Sequence, residues 1–248
     1  MNISRPIVGG TQVPDDEYPF MAALLIKGPP GGARERQYCA GTLYRPDVVL
    51  TAAHCVANRD PEGVRVVVGR TVLSDSQQGQ ARDAVSFTIH PQYDQRDGGG
   101  SGPDVALIKL AKPIKGIAPV QLPTPGTDAL LRPGAQAIAA GWGLTDDALE
   151  HSPDRMRRVK VPLLSQAECL ASYGPTYFDS DTALCAGVAG KGTCGGDSGG
   201  PLLRNVPGRE EPIQIGIVSG GGEKCAGRGE PGIYTSLSSK KLWETFGD

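Results

Sequence analysis

Short β-rich runs broken by turn residues recur along the whole chain, and no long helical pattern competes with them. The runs cover residues 20–26, 48–51, 64–68, 84–89, 105–110, 135–140, 158–163, 213–219 and 232–236. The chain's 35 glycines and 21 prolines supply turns between them. This pattern predicts an all-β sandwich or barrel protein. Two short helices are expected. One spans 165–173, with Ser165 as cap and Glu168 three residues on, a capping box. The other spans 238–246 and packs Leu242, Trp243 and Phe246. A proline-rich stretch, 112–126, is the natural link between two halves, while 98–102 is glycine-rich but too short for a domain linker.

With 248 residues the chain fits one large or two small domains. Its 25 basic and 27 acidic residues nearly cancel, and no long basic run is present. Nucleic acid and anionic membranes are therefore not expected as partners. The longest apolar run, 20–26, is far too short to span a bilayer. Six cysteines stand at 39, 55, 169, 185, 194 and 225. Six allow 15 pairings, and spacing alone selects none of them. Without a CxxC pair or a histidine cluster zinc is disfavoured, and no metal or cofactor is expected. An even cysteine count in a Gly- and Pro-rich chain predicts disulfides and an oxidising, extracellular compartment. Residues 1–6 hold no apolar signal core, so they are expected to be a leader or propeptide remnant left after export processing. Asn2 and Ser4 form a glycosylation-type triplet within it.

Three motifs carry chemistry. Gly195-Gly196-Asp197-Ser198-Gly199-Gly200-Pro201 places a serine on a tight glycine turn, beside free backbone N–H groups. Thr51-Ala52-Ala53-His54-Cys55 offers a base, and Asp104-Val105-Ala106-Leu107-Ile108 offers an acid to orient it. Together, in the order His, Asp, Ser, they resemble the chymotrypsin/trypsin-like serine proteases. The resemblance runs from Ile7 to about Trp243. An α/β-hydrolase would need the serine before the acid and the histidine last. A zinc hydrolase would need an HExxH helix, and the histidines here are scattered at His54, His90 and His151. His90 sits in a surface-type turn and reads as structural.

The resemblance implies two six-stranded antiparallel Greek-key barrels with a short C-terminal helix, over 7–118, 119–236 and 237–248. It implies disulfides Cys39–Cys55, Cys169–Cys185 and Cys194–Cys225. It makes His54 the base, Asp104 its orienting acid and Ser198 the nucleophile, with the Gly196 and Ser198 N–H groups as oxyanion donors. Peptide or protein substrates, protein inhibitors and a secreted monomer are the corresponding expectations. Ile7-Val8-Gly9-Gly10 resembles the family's mature N-terminus, whose freed amine pairs with the aspartate before the serine, here Asp197. The chain is therefore expected to be inactive until the Pro6–Ile7 bond is cut. A proline at 6 rules out a trypsin-like cut after Arg5 and fits a bacterial relative.

The pocket for the residue before the scissile bond falls at Gly192, Thr193, Gly195, Ser219, Gly220, Gly221 and Gly232. Gly192 stands where trypsin-like members carry an aspartate, and glycines at 221 and 232 leave the pocket open. Large apolar residues (Phe, Tyr, Leu, Met) are the expected preference. Gly220 replaces a usual tryptophan, which removes an apolar shelf and predicts weak upstream selectivity. Glu223 and Glu230 flank Cys225 and keep a basic preference open. Arg70 stands where calcium-binding relatives begin a carboxylate-lined loop, Pro231 where sodium-activated ones carry an aromatic, and Ala40 replaces a glycine near the departing side of the substrate. A catalytically silent binding protein of the same fold is the alternative. It is separated by whether Ser198 reacts, and an imidazole base predicts activity lost on acidification.

Overall fold

The computed structural model describes residues 6–94, 102–144, 152–222, 225–226 and 230–246. Asn2, Ser4, Arg5, Gly98 to Ser101, His151 and Glu223 lie outside them. Thirteen strands among the described residues carry the fold. Seven lie in the first half: β1 Thr11–Gln12, β2 Met21–Ile26, β3 Gln37–Arg45, β4 Val48–Thr51, β5 Val64–Val68, β6 Gln80–Ile89 and β7 Ala106–Leu110. Six lie in the second: β8 Gln136–Gly141, β9 Arg157–Pro162, β10 Ala183–Ala186, β11 Pro201–Arg204, β12 Ile213–Gly220 and β13 Gly232–Ser236.

Strands β2-β3-β4-β7-β6-β5 close into an antiparallel barrel. Its interior is filled by aliphatic side chains such as Leu24, Leu43, Val66 and Ile108, all wholly buried. In the second half the strand order is β1-β9-β8-β11-β12-β13-β10. The short β1 is an addition outside β9. The remaining six strands close on themselves through one Leu163–Ala186 bridge between β9 and β10. Two bonds support it, Leu164 N–H to Cys185 O at 3.1 Å and Gly187 N–H to Pro162 O at 3.1 Å. The core there includes Ala137, Val161, Ile215 and Tyr234.

Several expected runs match their strands closely, and four strands were not among those runs. β1 is only two residues long. β3 is broken by polar residues and a glycine, β10 is only four residues long, and β11 begins at a proline. The expected helix at 165–173 extends to Tyr177, passing Gly174 at a left-handed φ of 69°. Its capping box is formed, with Ser165 N–H donating to Glu168 Oε2 at 2.7 Å and Glu168 N–H to Ser165 Oγ at 3.3 Å. The terminal helix spans Lys240–Phe246. Ser239 caps it, its Oγ accepting from Leu242 N–H at 3.1 Å. That helix packs back on the first barrel: His90 Nε2 donates to Leu242 O at 3.1 Å and its ring stacks on Phe246.

The two barrels share one contact surface. The first core cluster includes Ile138, Leu203, Ile217 and Leu242 from the second half. The connecting segment bonds to both sides, with Val120 N–H on Leu43 O and Gln214 N–H on Gln121 O, each at 2.8 Å. A polar tie sits between the barrels, where Thr42 Oγ1 donates to Gln214 Oε1 at 2.7 Å and both residues are wholly buried. Thr42→Val strands that buried oxygen without a donor. It should destabilise the oxidised protein by about 1–3 kcal/mol. Thr42→Val with Gln214→Leu should recover part of the loss, as read by urea denaturation.

Candidate active site

His54 lies in a single 3-10 turn, Ala53–Cys55, directly after β4. The turn is closed by Cys55 N–H to Ala52 O and Val56 N–H to Ala53 O. Cys55 is bonded to Cys39 in β3, so the turn is tied to the barrel wall. The other disulfides are Cys169–Cys185 and Cys194–Cys225.

Asp104 precedes β7 and is wholly buried. Its carboxylate accepts three hydrogen bonds: His54 N–H on Oδ1 at 2.9 Å, and His54 Nδ1 and Ser219 Oγ on Oδ2, each at 2.7 Å. Its backbone carbonyl accepts Thr235 Oγ1 at 2.9 Å. A buried carboxylate is tolerated only when saturated with donors in this way. The carboxylate also holds the imidazole proton on Nδ1 and leaves Nε2 with its lone pair. Ser219 and Thr235 come from β12 and β13, so one first-half acid is fastened by two second-half hydroxyls.

Ser198 sits on the turn before β11. Its carbonyl accepts Ala40 N–H of β3, while Gly199 N–H donates to Val218 O of β12, both at 2.8 Å. The turn is therefore clamped between the two barrels. Gly199 has φ 79°, and a Cβ there would lie 2.2 Å from Thr51 Oγ1 and 2.3 Å from Ala40 O. No other residue fits that position. Cys55 Sγ lies 3.7 Å from His54 Nε2 and 3.6 Å from Ser198 O, which brings the two motifs to one place. No hydrogen bond joins Ser198 Oγ to His54 Nε2 among the described residues; such contacts often form only once substrate is bound. The Gly196 and Ser198 N–H groups donate to no protein acceptor among the described residues.

Ser198 opens on a cavity of about 180 Å³. Gly192, Thr193, Gly195, Gly220, Gly221 and Gly232 line it, as expected positions. Ser219 turns its hydroxyl to Asp104 instead, and its neighbours Val218 and Gly220 face the cavity. Lys191, Ala226 and Glu230 are further lining residues. A Cβ on Gly192 would approach Ala226 Cβ at 3.2 Å, whereas one on Gly220 would meet nothing within 4 Å. Gln37 went unnoticed in the sequence because a lone glutamine carries no motif. It donates Nε2 to Gly196 O at 2.8 Å and to Cys39 O at 3.1 Å, bracing the glycine turn.

A second carboxylate, Asp197, is also wholly buried. Among the described residues it accepts only Gly143 N–H at 2.7 Å and Cys194 N–H at 3.0 Å. Burial pushes its pKa up to about 7, and the two N–H groups oppose this without cancelling it. The N-terminal segment is seated against the turn at 190–192. Ile7 is wholly buried, Gly192 N–H donates to Val8 O at 3.2 Å, and a Cβ on Gly9 would lie 2.5 Å from Gly190 O.

A closed barrel and a second sheet whose edges meet through one bridge, with a histidine–carboxylate pair and a glycine-turn serine at their junction, define a serine hydrolase of the two-barrel class. The family model described as Trypsin matches residues 7–243. The chain is 36% identical over 235 residues to a trypsin of Saccharopolyspora erythraea, covering 94% of each protein. It is 34% identical over 250 residues to trypsin-1 of Astacus astacus, covering 96% of this chain and 98% of that protein. It is 35% identical over 238 residues to a trypsin-like protease of Streptomyces glaucescens, covering 94% and 79%. The chain belongs to the trypsin family and is a serine-type endopeptidase.

The raised pKa of Asp197 makes stability depend on pH. Between 3.8 and about 7 the folded carboxyl holds a proton that the unfolded one has released. Stability of the chain with Pro6 attached should therefore fall as pH rises through that window, by up to about 4 kcal/mol from this group. Asp197→Asn should remove that component from a pH series of thermal denaturation curves.

Proposed function

We propose that this chain is a secreted endopeptidase that works through an acyl-enzyme on Ser198. The observation that carries the reading is the buried Asp104 carboxylate, 2.7 Å from His54 Nδ1, beside a turn with two N–H groups left for an incoming oxygen. His54 Nε2 takes the Ser198 hydroxyl proton as Oγ bonds to the substrate carbonyl carbon. The carbonyl oxygen becomes an anion and is received by the Gly196 and Ser198 N–H groups. The imidazolium then protonates the leaving amine, and water repeats the sequence on the ester. Three disulfides fit an oxidising compartment, and no helix of the described residues is long and apolar enough to cross a membrane.

For the residue before the scissile bond, the reading is a large apolar side chain. Glycines at 192, 221 and 232 leave the cavity open, and the Glu230 and Lys191 charges in its lining offset each other. Glu230 also supports a second reading, a preference for Arg or Lys. Profiling cleavage sites on a peptide library decides between them. The first reading expects Phe, Tyr, Leu or Met before the cut. Cleavage after Arg or Lys that disappears in Glu230→Gln would replace it with the second.

Activation is read as release of the Ile7 amine to pair with Asp197. Support comes from a buried carboxylate without a cationic partner among the described residues, and from Ile7 itself, held at φ 33°. That φ is unfavourable for a β-branched residue, and it exists only while Pro6 is attached. Cutting the bond removes the strain and supplies the cation in one step. In chain processed to begin at Ile7, Ser198→Ala should lower kcat by about 10⁶. Full activity in protein still beginning at Met1, shown by N-terminal sequencing, would refute the switch.

A further inference from the structure

On the far side of Gly195 and Gly196 from the cavity described above runs a second depression, bordered by Gln37, Tyr38, Ser152 and Arg34. Gly195 borders both hollows, one on each side of the turn. If the residue before the scissile bond occupies the first, the chain after the bond must leave across the second. A series of hydrogen bonds runs outward along this path. Gln37 Nε2 reaches Gly196 O at 2.8 Å, Ser152 Oγ reaches Gln37 Oε1 at 3.1 Å, and Arg34 Nε reaches Ser152 O at 2.7 Å. Arg34 thus lies about two or three extended residues from the reacting carbon, at roughly 3.4 Å each.

Among the described residues this exit is cationic. Arg34 uses Nε on the protein and is exposed, and Arg36 donates Nε to Gly32 O at 3.2 Å. The Arg59 guanidinium stands 4.0 Å over the Tyr38 ring. None of the three takes part in an ion pair among the described residues. The depression continues into a larger one that Arg34 and Arg36 share with Arg65 and Arg70. Arg65 is paired with Asp83, and Arg70 is buried with its guanidinium on the Gln78 and Leu73 carbonyls. The carboxylates that line this stretch among the described residues each accept hydrogen bonds. Glu35 accepts Gly32 N–H at 2.8 Å, and Asp154 accepts Ser74 N–H at 2.8 Å and Ser74 Oγ at 2.6 Å. An excess of guanidinium groups over carboxylates along a substrate path raises the local concentration of anionic segments.

We propose that Arg34 and Arg36 select acidic side chains two to three residues after the scissile bond. This rests on the reading of Ser198 as nucleophile. The expected occupant is therefore an acidic stretch of a protein substrate. Arg34 is exposed and Arg36 half-buried at the surface, so each pairing is worth a few-fold, not a hundred-fold.

The test uses two quenched fluorescent peptides with the same residues up to the cleaved bond. They carry Glu or Lys at the second and third positions after it. The readout is the ratio of their kcat/KM values within one enzyme preparation, which cancels any loss of folded protein. The ratio should favour the Glu peptide by about five- to tenfold at low salt and shrink in 0.5 M salt, where the Debye length is only several ångströms. Arg34→Gln with Arg36→Gln should bring it to within about twofold of unity, and Arg34→Lys with Arg36→Lys should retain most of it. A ratio near unity in the unaltered enzyme, or one that survives the double Gln change, overturns the proposal and leaves the protease reading intact. Hydrolysis of neither peptide overturns both.

Discussion

The buried carboxylate of Asp104 is the constraint on which the rest of the site depends. An anion without accessible surface has to be saturated by donors, and here they come from both barrels: two from His54, one from Ser219. Removing any donor would leave charge unpaired in a low-dielectric interior. The same contacts that make the acid tolerable also fix the imidazole ring and its tautomer. They hold β12 against the segment leading into β7, and Thr235 Oγ1 on the Asp104 carbonyl holds β13 there. Stability and the proposed chemistry therefore rest on the same hydrogen bonds.

Asp197 presents the opposite case. It is buried as deeply but is met by only two backbone N–H groups, and its pKa is driven up to about 7. One carboxylate is thus fully provided for, while the other lacks a cation among the described residues. Ile7 lies wholly buried with its backbone strained. The contrast gives the proposed activation step a physical origin: the same fold holds one completed ionic site and one awaiting its partner.

Much of this was legible in the sequence wherever local chemistry is specific. The runs at 48–51, 64–68 and 232–236 became strands with those bounds because β-branched and apolar residues alternate or cluster between turn signals. The capping box at Ser165 and Glu168 is a local signal and formed as such. β3 was not legible: Cys39, Ala40 and Gly41 lack β propensity, and their pairing comes from the barrel around them. β11 opens with Pro201, whose missing N–H argues against a strand until its place as the first residue of that strand is known. At the site, residues inside motifs could be read, and residues that act by contact alone could not. Gln37 against Gly196, Ser219 against Asp104 and the arginine-lined exit each join segments more than 100 residues apart.

The central claim is that the Asp104–His54 contact activates Ser198. A fluorophosphonate, which bonds only to an activated hydroxyl, tests it in protein beginning at Ile7, with the adduct mapped by mass spectrometry. The account predicts one adduct, on Ser198, forming slower by roughly 10³–10⁴ in Asp104→Asn. An adduct on another residue, or equal rates in the two proteins, would contradict it.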